Sequence, residues 1–238
     1  MTLLSVNVNK IATLRNSRGS NFPDLLKVTK DIQDFGAEGI TIHPRPDERH
    51  IKYSDARLLK DIVISEYNIE GNPIQKFIDL VLDIKPDQVT LVPDKIDSLT
   101  SNQGWDTIKN YKFLKSIIKK LKNHGIRTSV FINPEINMVE GAHSVGADRI
   151  ELYTEPYASK YGMDKNLAIK PYIEASRKAQ DLGLGVNAGH DLNLDNIEFF
   201  SKEITNLLEV SIGHAIICES LYLGLENVIP MYIGKIKK

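Results

Sequence analysis

Several features that would narrow the function at once are missing from this 238-residue chain. It has a single cysteine, Cys218, so neither an intrachain disulfide nor a multi-cysteine metal site can form. Such sparing use of thiols leads us to expect a reducing, cytoplasmic compartment. Charge of neither sign is in excess: 30 basic against 31 acidic side chains leave a formal net charge of −1. That balance argues against nucleic acid or an anionic membrane as partner. No apolar run approaches the roughly 18–20 residues of a membrane span. Residues 1–6 are apolar only briefly before Asn7, Asn9 and Lys10 interrupt, unlike a secretory leader. A Walker loop, an H-E-x-x-H helix and a G-x-S-x-G elbow are all absent. The run from Gly183 to Ala188 has the letters of a dinucleotide fingerprint, but its glycines precede a strand instead of following one, which excludes that reading.

What is present is an ordinary globular composition, 42% hydrophobic and 26% charged. We expect one domain over residues 1–238. Short β-type runs alternate with helix-type segments. Eight are read as strands, over residues 3–9, 39–44, 67–71, 88–93, 127–134, 148–154, 185–190 and 207–213, each rich in Val, Ile, Leu or Thr as buried parallel strands are. The clearest helix is expected over 106–124, with Ile108, Tyr111, Leu114, Ile117, Ile118 and Leu121 on one face. Lys115, Lys119, Lys120 and Lys122 suit its C-terminal end, and Gly125 can supply a left-handed stop. A short refrain recurs: Gly36-Ala37 and Gly146-Ala147 each stand between a helix end and a strand, and Gly125-Ile126 and Gly183-Leu184 repeat the idea. Eight strands in this length give about 30 residues per unit, the size of a βα repeat. The expected fold is therefore α/β, a (β/α)8 barrel with a parallel eight-stranded core.

In such a barrel chemistry collects at the C-terminal ends of the strands. Those ends carry Asn7 and Asn9, then His43 with Arg45, Glu70, Asp94, Asn133, Glu151, His190 with Asp191, and His214. Three of the six histidines close a strand, and His50 follows in the next loop. His43, His190 and His214 are accordingly read as functional. His124, in a last helical turn, complements the helix dipole, and it and His143 are read as structural. For Glu70 and Glu151 a catalytic role and a structural ion pair both remain open, because a buried carboxylate is costly without a partner or a proton. Spacing alone makes Arg18, Arg45 and Arg49 solvated loop charges. Gly213-His214-Ala215 reads as strand, tight turn and helix start, an arrangement that binds phosphate. Rival readings stay open: a phosphosugar isomerase or epimerase, a non-catalytic phosphometabolite-binding barrel, or a metal hydrolase built on His43, His190 and His214. The last lacks a His-x-His on its first strand, which instead reads Asn7-Val8-Asn9.

Six blocks, taken together, resemble the pyridoxine 5′-phosphate synthase family, in order and over essentially the whole chain. They are Asn7 to Gly19, Gly39 to Ile51, Asn68-Ile69-Glu70, Leu91-Val92-Pro93, Val186 to His190, and Ile212 to Ile217. The resemblance implies a cofactor-free barrel transferase of vitamin B6 biosynthesis, usually octameric and without a metal. Such an enzyme condenses 3-amino-2-oxopropyl phosphate with 1-deoxy-D-xylulose 5-phosphate, giving pyridoxine 5′-phosphate, phosphate and water. By position it implies His43 and Glu70 as general bases, His190 as general acid, and Glu151 as stabiliser of charged transition states. Asn7 and Arg18 would hold the aminoketone phosphate, while Arg45, His50 and Thr100 would hold the sugar phosphate. Gly213 and His214 would receive the phosphate of the forming product. The family commonly has an Asp-His pair where this chain has Asn9-Lys10, and glycine is frequent where Asp191 stands. Asn9, Lys10 and Asp191 are therefore carried over only as substrate contacts. A closing lid is expected over 94–105, and Cys218 is read as packing.

Overall fold

The computed structural model describes residues 1–94 and 103–237. Eight parallel strands pair in chain order and close on themselves, β8 returning to β1. They are β1 (Leu3–Asn7), β2 (Gly39–Ile42), β3 (Glu66–Gly71), β4 (Gln88–Leu91), β5 (Arg127–Ile132), β6 (Arg149–Tyr153), β7 (Gly185–His190) and β8 (Leu207–Ile212). The helices among the described residues are α1 (Asn9–Asn16), α2 (Leu25–Asp34), α3 (Tyr53–Lys60), α4 (Gln75–Ile84) and α5 (Tyr111–Lys122). They continue with α6 (Ile136–Ser144), α7 (Glu155–Asp181), α8 (Ile197–Glu203), α9 (His214–Leu223) and α10 (Leu225–Ile236). The barrel read from the sequence is the barrel observed. No helix among the described residues is long and apolar enough to cross a membrane.

The Gly-Ala refrain has a single mechanical meaning. Gly36, Gly125, Gly146 and Gly183 all adopt positive φ, from +75° to +106°. In each case the next residue's N–H reaches back to close the helix: Ala37 to Ile32 O, Ile126 to Leu121 O, Ala147 to Ala142 O and Leu184 to Ala179 O, at 2.9–3.2 Å. This left-handed stop satisfies the last carbonyls and aims the chain at the next strand.

Two local readings needed correction. The first strand ends at Asn7, not at Asn9, because the Asn9 N–H donates to Asn7 Oδ1 at 3.0 Å and starts α1 there. Asn9 and Lys10 are therefore the first turn of a helix. The helix expected over 106–124 begins only at Tyr111. Asp106 instead accepts from Lys109 N and Asn110 N in the turn before it. Ile108 and Tyr111 are consequently exposed, while Leu114, Ile118 and Leu121 are buried.

The strands alternate more strictly than their apolar content implies. Ile40, Ile42, Tyr67, Ile69, Val89, Leu91, Val210 and Ile212 belong to the apolar core. The residues between them are polar and buried, among them Thr41, Asn68, Thr90 and Ser211. These polar side chains point into the barrel, where Ser5, Thr41, Asn68 and Thr90 form a hydrogen-bonded chain across β1 to β4. At the N-terminal end of the strands Arg149 reaches Glu209 Oε2 at 3.2 Å and Asn187 Oδ1 at 3.3 Å, and lies 3.7 Å from Glu66 Oε1. Arg127 pairs with Glu66 as well. A contact from β6 to β3 is possible only through the lumen, so an ionic floor seals the barrel. Burial pushes Glu209 up to about 8, with Glu66 adding to it and Arg149 opposing.

Arg149→Met is expected to lower stability by about 3–5 kcal/mol in urea denaturation, because removing one partner strands buried charge. Adding Glu209→Gln should recover part of that loss. A single-variant cost near zero would show that the floor does not hold the barrel together.

Candidate active site

At the C-terminal mouth of the barrel lies a cavity of about 380 Å3. The sequence-predicted residues that line it arrive from seven directions: Asn7, Asn9 and Lys10 from β1 and α1, His43, Arg45 and His50 from the segment after β2, Glu70 from β3, Glu151 from β6, His190 and Asp191 from β7, and Gly213 and His214 after β8. Arg18 is not among them. It is exposed beyond the end of α1, and the α1 guanidinium that turns inward is Arg15 instead. The seven helical residues after Asn9 already carry Asn16 roughly 10 Å along the axis, and Arg18 follows in the turn beyond it. Arg15 grips Asp55 through two hydrogen bonds of 2.7 and 2.8 Å. Together with Asn16, which donates to His50 O at 2.8 Å, it fixes the loop that presents His50. Thr100, and most of the segment expected to form a lid, lie outside the described residues.

His43 is buried at the mouth. Its N–H donates to Asn9 Oδ1 at 2.9 Å, so the side chain at the start of α1 sets the end of β2. Its ring stands 3.7 Å from Glu70 Oε2 and 3.8 Å from Asp94 Oδ2, and Arg45 pairs with the same Asp94 oxygen at 2.8 Å. The His43–Glu70 contact is not an ion pair near neutral pH. Burial, followed by Arg45, lowers His43 to about 3, while burial and the nearby Glu151, Glu209 and Asp94 raise Glu70 well above the ordinary carboxylate range. A neutral imidazole therefore faces a carboxyl that holds its proton more tightly than an exposed glutamate does. Burial also raises Glu151 to about 7, opposed by His190 and by a hydrogen bond with Thr90. Its Oε2 finds no hydrogen-bond partner among the described residues. Burial, then Arg45, Arg49 and Lys10, lower His50 to about 4.

His190 closes β7, its Nδ1 2.8 Å from Asp191 Oδ2. The ring lies edge-on to Tyr153 at 5.3 Å and tilted to Phe131 at 6.4 Å. Gly189 makes room for its neighbours, since a Cβ there would come within 2.8 Å of Glu151 Oε1. Gly213 packs against Asn7 in the same way and opens α9, whose N-terminus carries no side-chain cap. A helix N-terminus without a side-chain cap is the arrangement of an anion site. Cys218 does more than pack, for its Sγ is 3.5 Å from His214 Nε2. His124 and His143 are exposed and off the cavity, His124 with its Nδ1 2.9 Å from Lys120 O. No cluster of three or more metal-ligating side chains occurs among the described residues.

Sequence reasoning overlooked part of the lining. Val92, Phe131 and Tyr153 end β4 to β6 and form a small apolar cluster of their own. Glu155 and Ser211 complete the wall. The signal was available in the alternation, because Phe131 and Tyr153 share the inward phase with Ser129 and Glu151.

The chain matches the family described as "Pyridoxal phosphate biosynthesis protein PdxJ" over residues 4–238. It is 64% identical over 237 residues to the pyridoxine 5′-phosphate synthase of Flavobacterium johnsoniae, and 63% identical over 238 residues to that of Cytophaga hutchinsonii, covering 100% of each chain in both pairs. Among solved structures it is similar to 3-keto-L-gulonate-6-phosphate decarboxylase from Vibrio cholerae, with a TM-score of 0.68 at 8% identity, covering 99% of this chain and 97% of that one. It is also similar to phosphoribosylanthranilate isomerase from Thermotoga maritima, with a TM-score of 0.61 at 15% identity, covering 100% and 99%. At such low identity these structures speak to the barrel alone. The chain belongs to the PdxJ family of pyridoxal phosphate biosynthesis proteins.

Proposed function

We propose that this chain is a pyridoxine 5′-phosphate synthase, condensing 3-amino-2-oxopropyl phosphate with 1-deoxy-D-xylulose 5-phosphate to pyridoxine 5′-phosphate, phosphate and water. The observation that carries this is full-length identity of 64% to a protein of that name. The cavity supports it, because ring closure from two open chains consists of imine formation, dehydrations and loss of phosphate, each a movement of protons. His43, held neutral, removes a proton from carbon beside a carbonyl or imine. Glu70, whose proton affinity burial raises, serves as the second base, and its carboxyl can return the proton it takes to a departing oxygen. His190 is the general acid, and Glu151 stabilises positive charge as it develops.

The phosphates belong at the cationic rim. Arg45, His50 and Lys10 surround one position, and the open amides of Gly213 and His214 mark the other. Asn7, packed against Gly213, orients the aminoketone, with Asn9 alongside it. The protein is placed in the cytoplasm as a homo-oligomer, an octamer by family resemblance. Leu221 and Tyr222 on α9 are 77% and 90% exposed, an apolar pair suited to burial against another copy. Sedimentation should then give a mass that is a multiple of 26.8 kDa; a monomer at micromolar concentration would rule this out.

Mixing both substrates with the protein should generate the absorbance of a pyridinol. His190→Ala is expected to slow this by roughly 10²–10⁴-fold, as for a lost general acid, while His124→Ala leaves the rate within a few-fold. Binding of either phosphate by calorimetry without any product would instead favour the non-catalytic barrel.

Stability should fall on both sides of an intermediate pH. Below pH 6.5 the unfolded chain takes protons that His43 and His50 refuse until about 3 and 4, so stability drops as pH falls through that window. Glu151 holds its proton to about 7, whereas an unfolded glutamate loses it near 4.5, so stability also drops as pH rises through that window. Glu151→Gln should therefore show a smaller fall in Tm between pH 5 and pH 8 than the unaltered chain; an identical fall would mean that Glu151 ionises normally.

A further inference from the structure

We infer that Asp191 is a positioning residue for the general acid, its carboxylate fixing the ring of His190 so that proton transfer runs through Nε2; this rests on the role proposed for His190. Asp191 stands in the position of a substrate contact, yet its carboxylate is already engaged by the neighbouring imidazole. The hydrogen bond from His190 holds its carboxyl below the usual range, so it is an anion in a cavity built for phosphates. An ionised carboxylate only accepts hydrogen bonds, so at 2.8 Å the proton of the contact sits on His190 Nδ1. That leaves Nε2 as the nitrogen through which the ring can serve a substrate, as in other carboxylate–imidazole pairs.

The backbone supports this assignment. His190 has φ +96°, a strained conformation for a non-glycine residue that persists only where the surroundings impose it. The surroundings are specific. Thr154 Oγ1 donates to Gly189 O on one side. On the other, Asn196 Nδ2 donates to Asp191 O at 3.3 Å, and Tyr157 OH donates to Asn196 O at 2.8 Å. The carboxylate is thus tethered through its own backbone before it meets the ring. Tyr153 then meets the ring edge-on, which fixes its tilt. Among the described residues, the other titratable groups that face this pair include His43 just after β2, Glu151 on β6 and His214 on α9. Tyr153 and, beyond it, Glu155 are also close to it.

Two substitutions test the assignment. Asp191→Asn keeps the size and removes the charge that stabilises the imidazolium. It should lower kcat about 10–100-fold at pH 8 and clearly less at pH 6, moving the alkaline limb of the kcat profile to lower pH, with both KM values within two-fold. Asp191→Ala removes the acceptor, and the 15N spectrum of the His190 ring should change from one tautomer, protonated at Nδ1, to a mixture. A KM that rises with kcat unchanged would make Asp191 a substrate contact after all. A kcat loss equal at all pH values with an unchanged ring spectrum would make it merely structural. The ring spectrum needs no substrate, so it reports on the pair even if the unaltered protein forms no product, the outcome that would refute the synthase reading by itself.

Discussion

Arg149 is the ion on which the barrel interior depends. A parallel barrel is usually filled with branched apolar side chains, but this one is lined by serine, threonine, asparagine and carboxyl groups. Each of these needs a partner away from water. One guanidinium spans β6 to β8 and faces β3, meeting two glutamates and an asparagine. It supplies the positive charge that lets Glu66 and Glu209 share the floor. Above it, Glu151 and Glu70 lie between floor and rim, where burial, and for Glu70 the neighbouring carboxylates, make them retain protons more strongly than exposed glutamates do.

The same layering explains how acid and base functions coexist within a few ångströms. Glu70 and His43 would form an ordinary ion pair in water. Here both charged forms are penalised by burial, and the proton rests on the carboxyl. A neutral base and a proton donor, side by side and both poised, can act on the same carbon framework in turn. The anion positions proposed above adjoin this pair: Arg45, itself buried, shares an Asp94 oxygen with the His43 ring, and the start of α9 lines the same cavity.

Much of the fold was legible because its signals are local. A left-handed glycine followed by an N–H that returns to the helix is a short-range device, and four copies of it announced the repeat. Strand ends were legible for the same reason, which is why His43, Glu70, Glu151, His190 and His214 could be placed at one face from spacing alone. The position of Arg18 was not legible: it falls beyond the last turn of α1, exposed and off the cavity lining, and Arg15 of the same helix is engaged by Asp55. The pairing of Asp191 with His190 was hidden as well. Adjacent residues normally point apart, and it is the positive φ of His190 that brings these two together. The floor of Glu66, Arg127, Arg149 and Glu209 escaped notice because its members lie far apart in sequence and meet only when the barrel closes.

Substrate arrival changes the electrostatics that the empty cavity displays. After burial itself, Arg45 is the largest influence holding His43 in its neutral form. A phosphate seated beside Arg45 would cancel much of that charge, since the two are in direct contact and shielded from bulk water. The proton affinity of His43 then rises at the moment a carbon acid is placed against it. A base held at about 3 would be too weak to abstract such a proton; one whose neighbouring cation has been neutralised is closer to the range in which general-base catalysis is effective. On the proposed reading, binding and activation would be one event, with Arg45 holding the base back until a phosphate neutralises it.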